Sequence, residues 1–139
     1  MAAPEDGLPI VVDPRGAFGS GLHPSTRLAL TLLDTARGKT LLDAGAGSGI
    51  LSVAGARLGF EIICAVELEP CARECCARTA RENGVMVNVL KAIPAERFDL
   101  VVANMPAATL LKLAARLRAA VAPGGRLIVS GLTAMILGS

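Results

Sequence analysis

Short apolar runs alternate with segments whose apolar residues recur at helical spacing along almost the whole chain. Residues 8–12 form a brief apolar stretch that enters a glycine-rich loop, 13–23. Pro24 then opens a helix with Leu28, Leu32 and Leu33 on one face. Residues 40–42 read as the first core strand, followed by a glycine turn and a helix over 50–58 that Gly59 ends. Residues 61–66 make the second strand, and Pro70 starts a helix that Asn83 and Gly84 stop. Residues 85–90 supply a third strand and 98–103 a fourth. A helix over 107–121 turns Leu110, Leu111, Ala114, Leu117 and Val121 inward, and 126–130 form a fifth strand after Pro123-Gly124-Gly125. Strands joined by helices run parallel with right-handed crossovers, so the fold class is α/β, a doubly wound, mostly parallel, Rossmann-like sheet. Ligands of such sheets bind at the carboxyl ends of the strands, where the strand order reverses.

Composition narrows the chemistry. The 139 residues fit one domain, 1–139, and with 53% apolar but only 2% aromatic residues the core must be aliphatic. A net charge of +2, without a basic run, gives no direct nucleic-acid signal, and three Phe with no Trp or Tyr leave little for base stacking. The four cysteines include three in one predicted helix, which is no disulfide framework and fits a reducing, cytoplasmic setting. No second Cys/His pair completes a tetrahedral site, so no metal is expected. No apolar run reaches the length of a membrane span, and the acidic start lacks a signal-peptide core, so no membrane partner is expected. A single histidine, His23, excludes chemistry by a histidine pair.

Three strand ends carry candidate chemistry. Residues 41–49, LLDAGAGSG, end an apolar strand in Asp43 and place glycines at 45, 47 and 49 before a helix. A dinucleotide fingerprint would need its third glycine at position 50, which is Ile50, and no Gly-Lys-Ser/Thr follows to make a phosphate loop. The G-x-G-x-G form suits a cofactor without a pyrophosphate, with the turn against a nucleoside's ribose and amino-acid part. Glu67 ends the second strand about 20 residues past the glycines, where a carboxylate can accept bonds from ribose hydroxyls. Asn104 directly follows the fourth strand, and its amide can donate and accept beside a reaction centre.

The run DPRGAFGSGLHPSTR over 13–27, joined to GKTLLDAGAGSGILSVAGARLG, AVELEP, ENGV, FDLVVAN and APGGRLIVSGL, closely resembles the ribosomal protein L-eleven lysine methyltransferase family of bacteria. The resemblance implies a class I methyltransferase core that binds S-adenosyl-L-methionine and methylates an amine of a ribosomal protein. It implies that Thr26 contacts the cofactor, that Gly45 lies against its amino-acid part, that Asp43 and Gly47 also bind the cofactor, and that Glu67, where the family usually has Asp, holds the ribose. Asn104 is implied as the catalytic residue, between cofactor and substrate amine, and the Phe18 ring as a cover. The family has a separate substrate-docking domain before this one and an antiparallel strand pair after the fifth strand. The domain is therefore expected to be C-terminally incomplete, with self-association through the bare fifth-strand edge. The short segment 91–97 is expected to wall the adenine pocket poorly. Other readings are a methyltransferase for a nucleobase or small molecule, and an inactive cofactor-binding fragment.

Overall fold

In the computed structural model, residues 33 and 35–130 are described, except for the Ser130 side chain. Five strands form one parallel sheet: β1 (Thr40–Ala44), β2 (Ile62–Val66), β3 (Asn88–Leu90), β4 (Phe98–Asn104) and β5 (Val121–Ser130). Their order is β3-β2-β1-β4-β5. Helices α1 (Ile50–Arg57), α2 (Pro70–Glu82) and α3 (Ala107–Ala119) link them, completing the doubly wound α/β fold. Chain order reverses between β1 and β4, which opens a crevice at the carboxyl ends of these two strands.

β1 is the central strand, and its residues beyond Thr40 are buried on both faces. That is why TLLDA reads as an apolar run rather than an alternation. On one face Leu41, Ile63, Leu100, Val102 and Ile128 pack with Ile50, Leu51 and Ala54 of α1. Helix α1 sits so close that a Cβ at Gly55 would overlap the Leu41 side chain. Ala46, Ala65 and Cys76 extend this layer to α2. On the other face Leu42, Cys64, Val101 and Ala103 pack with Leu117 of α3.

At the amino ends of the strands, Asp99 Oδ2 accepts the Lys39 and Thr40 N–H groups at 2.8 and 3.2 Å, while Thr40 Oγ1 accepts the Asp99 N–H at 2.8 Å. These reciprocal bonds tie β1 to β4 before the ladder begins and fix its register.

Four expectations need correction. Leu111 is 67% exposed, and Leu113 packs on the sheet instead, because the inward stripe of α3 runs through Leu110, Leu113 and Leu117. Val121 is not helical: α3 ends at Ala119, and the Phe98 N–H bonds the Ala120 carbonyl as β5 starts. β5 therefore includes Pro123, Gly124 and Gly125, with a register shift between Phe98 and Leu100 that absorbs them. β3 pairs with β2 only over residues 88–90, because the Val85 N–H is spent on the Ala80 carbonyl in the turn after α2.

Candidate functional site

The chain leaves β1 through three glycines in left-handed conformation, Gly45 (φ 74°), Gly47 (φ 55°) and Gly49 (φ 86°), which explains their alternate spacing. The Gly45 and Ala46 N–H groups bond the Val66 carbonyl at 2.9 and 3.0 Å, so the turn folds across the end of β2. A Cβ at Gly45 would stand 3.2 Å from Met105 Cε and 3.4 Å from the Asn104 carbonyl oxygen, and one at Gly49 would lie 2.8 Å from Cys76 Sγ. The turn is thus held between the end of β4 and helix α2.

Glu67 is the clasp on the β2 side. Its Oε1 accepts the Gly47 N–H at 3.0 Å and its Oε2 accepts the Glu69 N–H at 3.1 Å. The Arg73 guanidinium in turn donates to the Glu67 and Leu68 carbonyls, each at 2.9 Å, which pins the β2–α2 loop. Each carboxylate oxygen keeps a lone pair free for a further donor.

Asp43 lies behind the turn and is not among the residues that line the crevice. It is fully buried, and Oδ2 accepts the Ser52 hydroxyl at 2.6 Å. The Ser52 backbone N–H also bonds this carboxylate. Gly49 has no side chain to cap α1, so Asp43 caps it from the strand below. Oδ1 has no hydrogen-bond partner among the described residues. Burial pushes the Asp43 pKa up to about 6, against the Ser52 bonds, and the Glu67 charge raises it a little further. Burial likewise pushes the Cys76 thiol up to about 12, so it stays protonated as packing for the turn.

These parts surround a crevice of about 420 Å³, within the usual size of small-molecule sites. Gly45, Gly47 and Glu67 line it on one side, and Asn104 and Met105 at the end of β4 on another. Asn104 is 6% exposed. The crevice therefore brings together Gly45, Gly47, Glu67 and Asn104, while Thr26 and Phe18 lie outside the described residues.

Sequence reasoning missed several lining residues. Thr109, Leu113 and Arg116 come from α3 at spacings of four and three, one helical face, which was the available signal. Met105 and Pro106 simply follow Asn104. Of the short segment 91–97, Lys91, Ala92 and Ile93 reach the lining. Among the described residues no His/Cys/Asp/Glu group is arranged to hold a metal ion, and no helix is long and apolar enough to cross a membrane.

A parallel sheet in this order, with a glycine turn, a carboxylate after β2 and an Asn as the last residue of β4 around one crevice, is a Rossmann-like class I methyltransferase fold. The chain belongs to the ribosomal protein L11 methyltransferase (PrmA) family, whose model matches residues 2–135. It is 43% identical over 136 residues to the ribosomal protein L11 methyltransferase of Geobacter sulfurreducens, covering 94% of this chain and 45% of the relative. It is 40% identical over 140 residues to that of Azotobacter vinelandii, covering 95% and 48%. The chain thus spans about half the length of the curated relatives it matches. A crystal structure of ribosomal protein L11 methylase from Lactobacillus delbrueckii subsp. bulgaricus superposes with TM-score 0.87 at 30% identity, covering 99% of this chain and 74% of that one. A methyltransferase from Thiobacillus denitrificans in complex with S-adenosyl-L-homocysteine shares the fold at TM-score 0.60 and 23% identity, covering 77% and 49%.

Proposed function

We propose that the chain binds S-adenosyl-L-methionine in this crevice and transfers its methyl group to an amine of a protein, with a ribosomal protein as the substrate. The observation that carries the reading is the single crevice shared by Gly45, Gly47, Glu67 and Asn104. The residues suit the cofactor. The turn presents backbone rather than side chains to the crevice, and Glu67 offers lone pairs to two hydroxyls. Thr26 and Phe18 complete this reading as a contact and a cover.

When bound, the donor would supply a methyl group on a positively charged sulfur: a neutral amine attacks the methyl carbon in line, the C–S bond breaks, the thioether leaves, and the proton of the new ammonium passes to solvent. The protein's task is then alignment. The Glu67 clasp and the glycine turn hold the donor still, and the Asn104 amide orients the incoming lone pair. Met105, Ile93 and Leu113 give the crevice apolar walls beside Asn104. A cytoplasmic location and self-association through β5 belong to the same reading. Among the described residues β5 is the outer strand of the sheet, and its Leu127 is 37% exposed.

Titration calorimetry with S-adenosyl-L-methionine, S-adenosyl-L-homocysteine and NAD tests the first step. Binding of the first two and not the third is expected, and tight NAD binding alone would overturn the reading. Mass measurement of methyl groups incorporated into a ribosomal protein fraction tests the second step. Incorporation into RNA or small molecules instead would reassign the substrate, and binding without any transfer would leave a cofactor-binding domain.

A further inference from the structure

Asp43 stands apart from the machinery described above. It caps α1 through Ser52, yet Asn and Ser cap helix N-termini as well as Asp does, so the cap does not require a charge. The carboxylate is nevertheless fully buried in the central strand, with Oδ1 lacking a partner among the described residues. Among the described residues the groups facing it are Ser52 from α1, Glu67 beyond β2 and Cys76 from α2, while its pairing neighbours in β2 and β4 are Ala65 and Val102. None of these is a cation. The next two residues, Ala44 and Gly45, line the crevice, so the charge sits directly behind its floor.

An uncompensated charge in a poorly screened interior attracts a cation brought near it far more strongly than the same charge in water would. We infer that Asp43 supplies a fixed negative charge behind the glycine turn that favours a positively charged sulfonium donor over its neutral thioether product. This rests on the cofactor reading above. The two ligands differ by one methyl group and one positive charge, so the residue acts on discrimination and product release rather than on binding in general. It is a positioning and specificity residue, since it does not itself reach the crevice.

Burial places the Asp43 pKa at about 6, so acidification through that value discharges the group. The test is calorimetry with S-adenosyl-L-methionine and S-adenosyl-L-homocysteine on the full chain between about pH 5 and 7. Affinity for the sulfonium should fall about tenfold toward pH 5, and affinity for the thioether should fall much less. Asp43→Asn should remove this difference, and Ser52→Ala, which takes away a bond to the ionised form, should move the midpoint to higher pH. A parallel change in both ligands, or full sulfonium preference in Asp43→Asn at pH 7, would overturn the charge role while leaving the cofactor reading intact. If neither ligand bound the unsubstituted chain, both would fall. The unsubstituted pH series decides the matter even if the variants do not fold.

Discussion

Replacing Asp43 by Asn should change how stability depends on pH, and the size of that change follows from burial. The carboxyl pKa is raised from 3.8 to about 6, chiefly by desolvation. The folded state therefore holds this proton more tightly than the unfolded chain does. Below 3.8 both states are protonated and the group contributes nothing. Above about 6 both are ionised, and the folded state carries the full penalty, about 3 kcal/mol for a group with no exposure. Stability is thus lost as pH rises through that interval. Asp43→Asn keeps an oxygen for Ser52 but buries an amide N–H where Oδ1 now stands, costing about 1 to 3 kcal/mol at every pH. The absolute stability of the variant is less informative than its difference from the unsubstituted chain, which should change by about 2.4 kcal/mol between pH 4 and 7, because the unfolded carboxyl is already partly ionised at pH 4. Urea unfolding in steps across that range measures it. Asp99, whose pKa is lowered by bonds from the Lys39 and Thr40 N–H groups, titrates below the window and is present in both proteins. Two unfolding curves that stay parallel from pH 4 to 7 would show that the Asp43 charge is compensated, and the burial reasoning would fail.

Glu67→Ala should weaken binding of S-adenosyl-L-homocysteine by about 1.5 to 3 kcal/mol in calorimetry, with Glu69→Ala doing much less; equal effects would mean that Glu67 is only a clasp. Gly49→Ala should destabilise the fold by about 2 kcal/mol in thermal or urea unfolding, from left-handed strain and the 2.8 Å approach to Cys76 Sγ, and Cys76→Ala should restore only the steric part. Asp99→Ala should cost about 1 to 2 kcal/mol at neutral pH by freeing two N–H groups. Because the Asp99 pKa is depressed, that loss should fade as pH falls below the ordinary carboxylate range, which acid unfolding curves would reveal.

Much of this fold was legible because its signals are local. Pro70 opens α2, Asn83 and Gly84 close it, and β1, β2 and β4 are buried on both faces, so each stands out as an apolar run. The glycine turn was legible for a related reason, since three left-handed positions in five residues admit little but glycine. The phase of α3 was less visible. Leu110, Leu111 and Leu113 crowd one turn, and only the position of the sheet determines that Leu111 faces solvent. β5 began earlier than its apolar core because backbone pairing with Phe98, not side-chain pattern, sets its start.

The candidate site divides along the same line. Glu67 and Asn104 could be placed from sequence because a strand end is a position, and position in a doubly wound sheet decides what faces the crevice. What each carboxylate does there could not be read. Asp43 and Glu67 are both acidic residues near strand ends, one on β1 and one just after β2. Glu67 is far enough out that its oxygens reach the Gly47 and Glu69 N–H groups at the lip, with capacity left for a ligand. Asp43 lies one residue before the end of β1, on the face covered by α1, so the same functional group is sealed against Ser52 and holds its charge against the cost of burial. Two residues of offset along the sheet separate a group that can touch a ligand from one that can act on it only through a field. That offset becomes meaningful once the helix above the strand is in place.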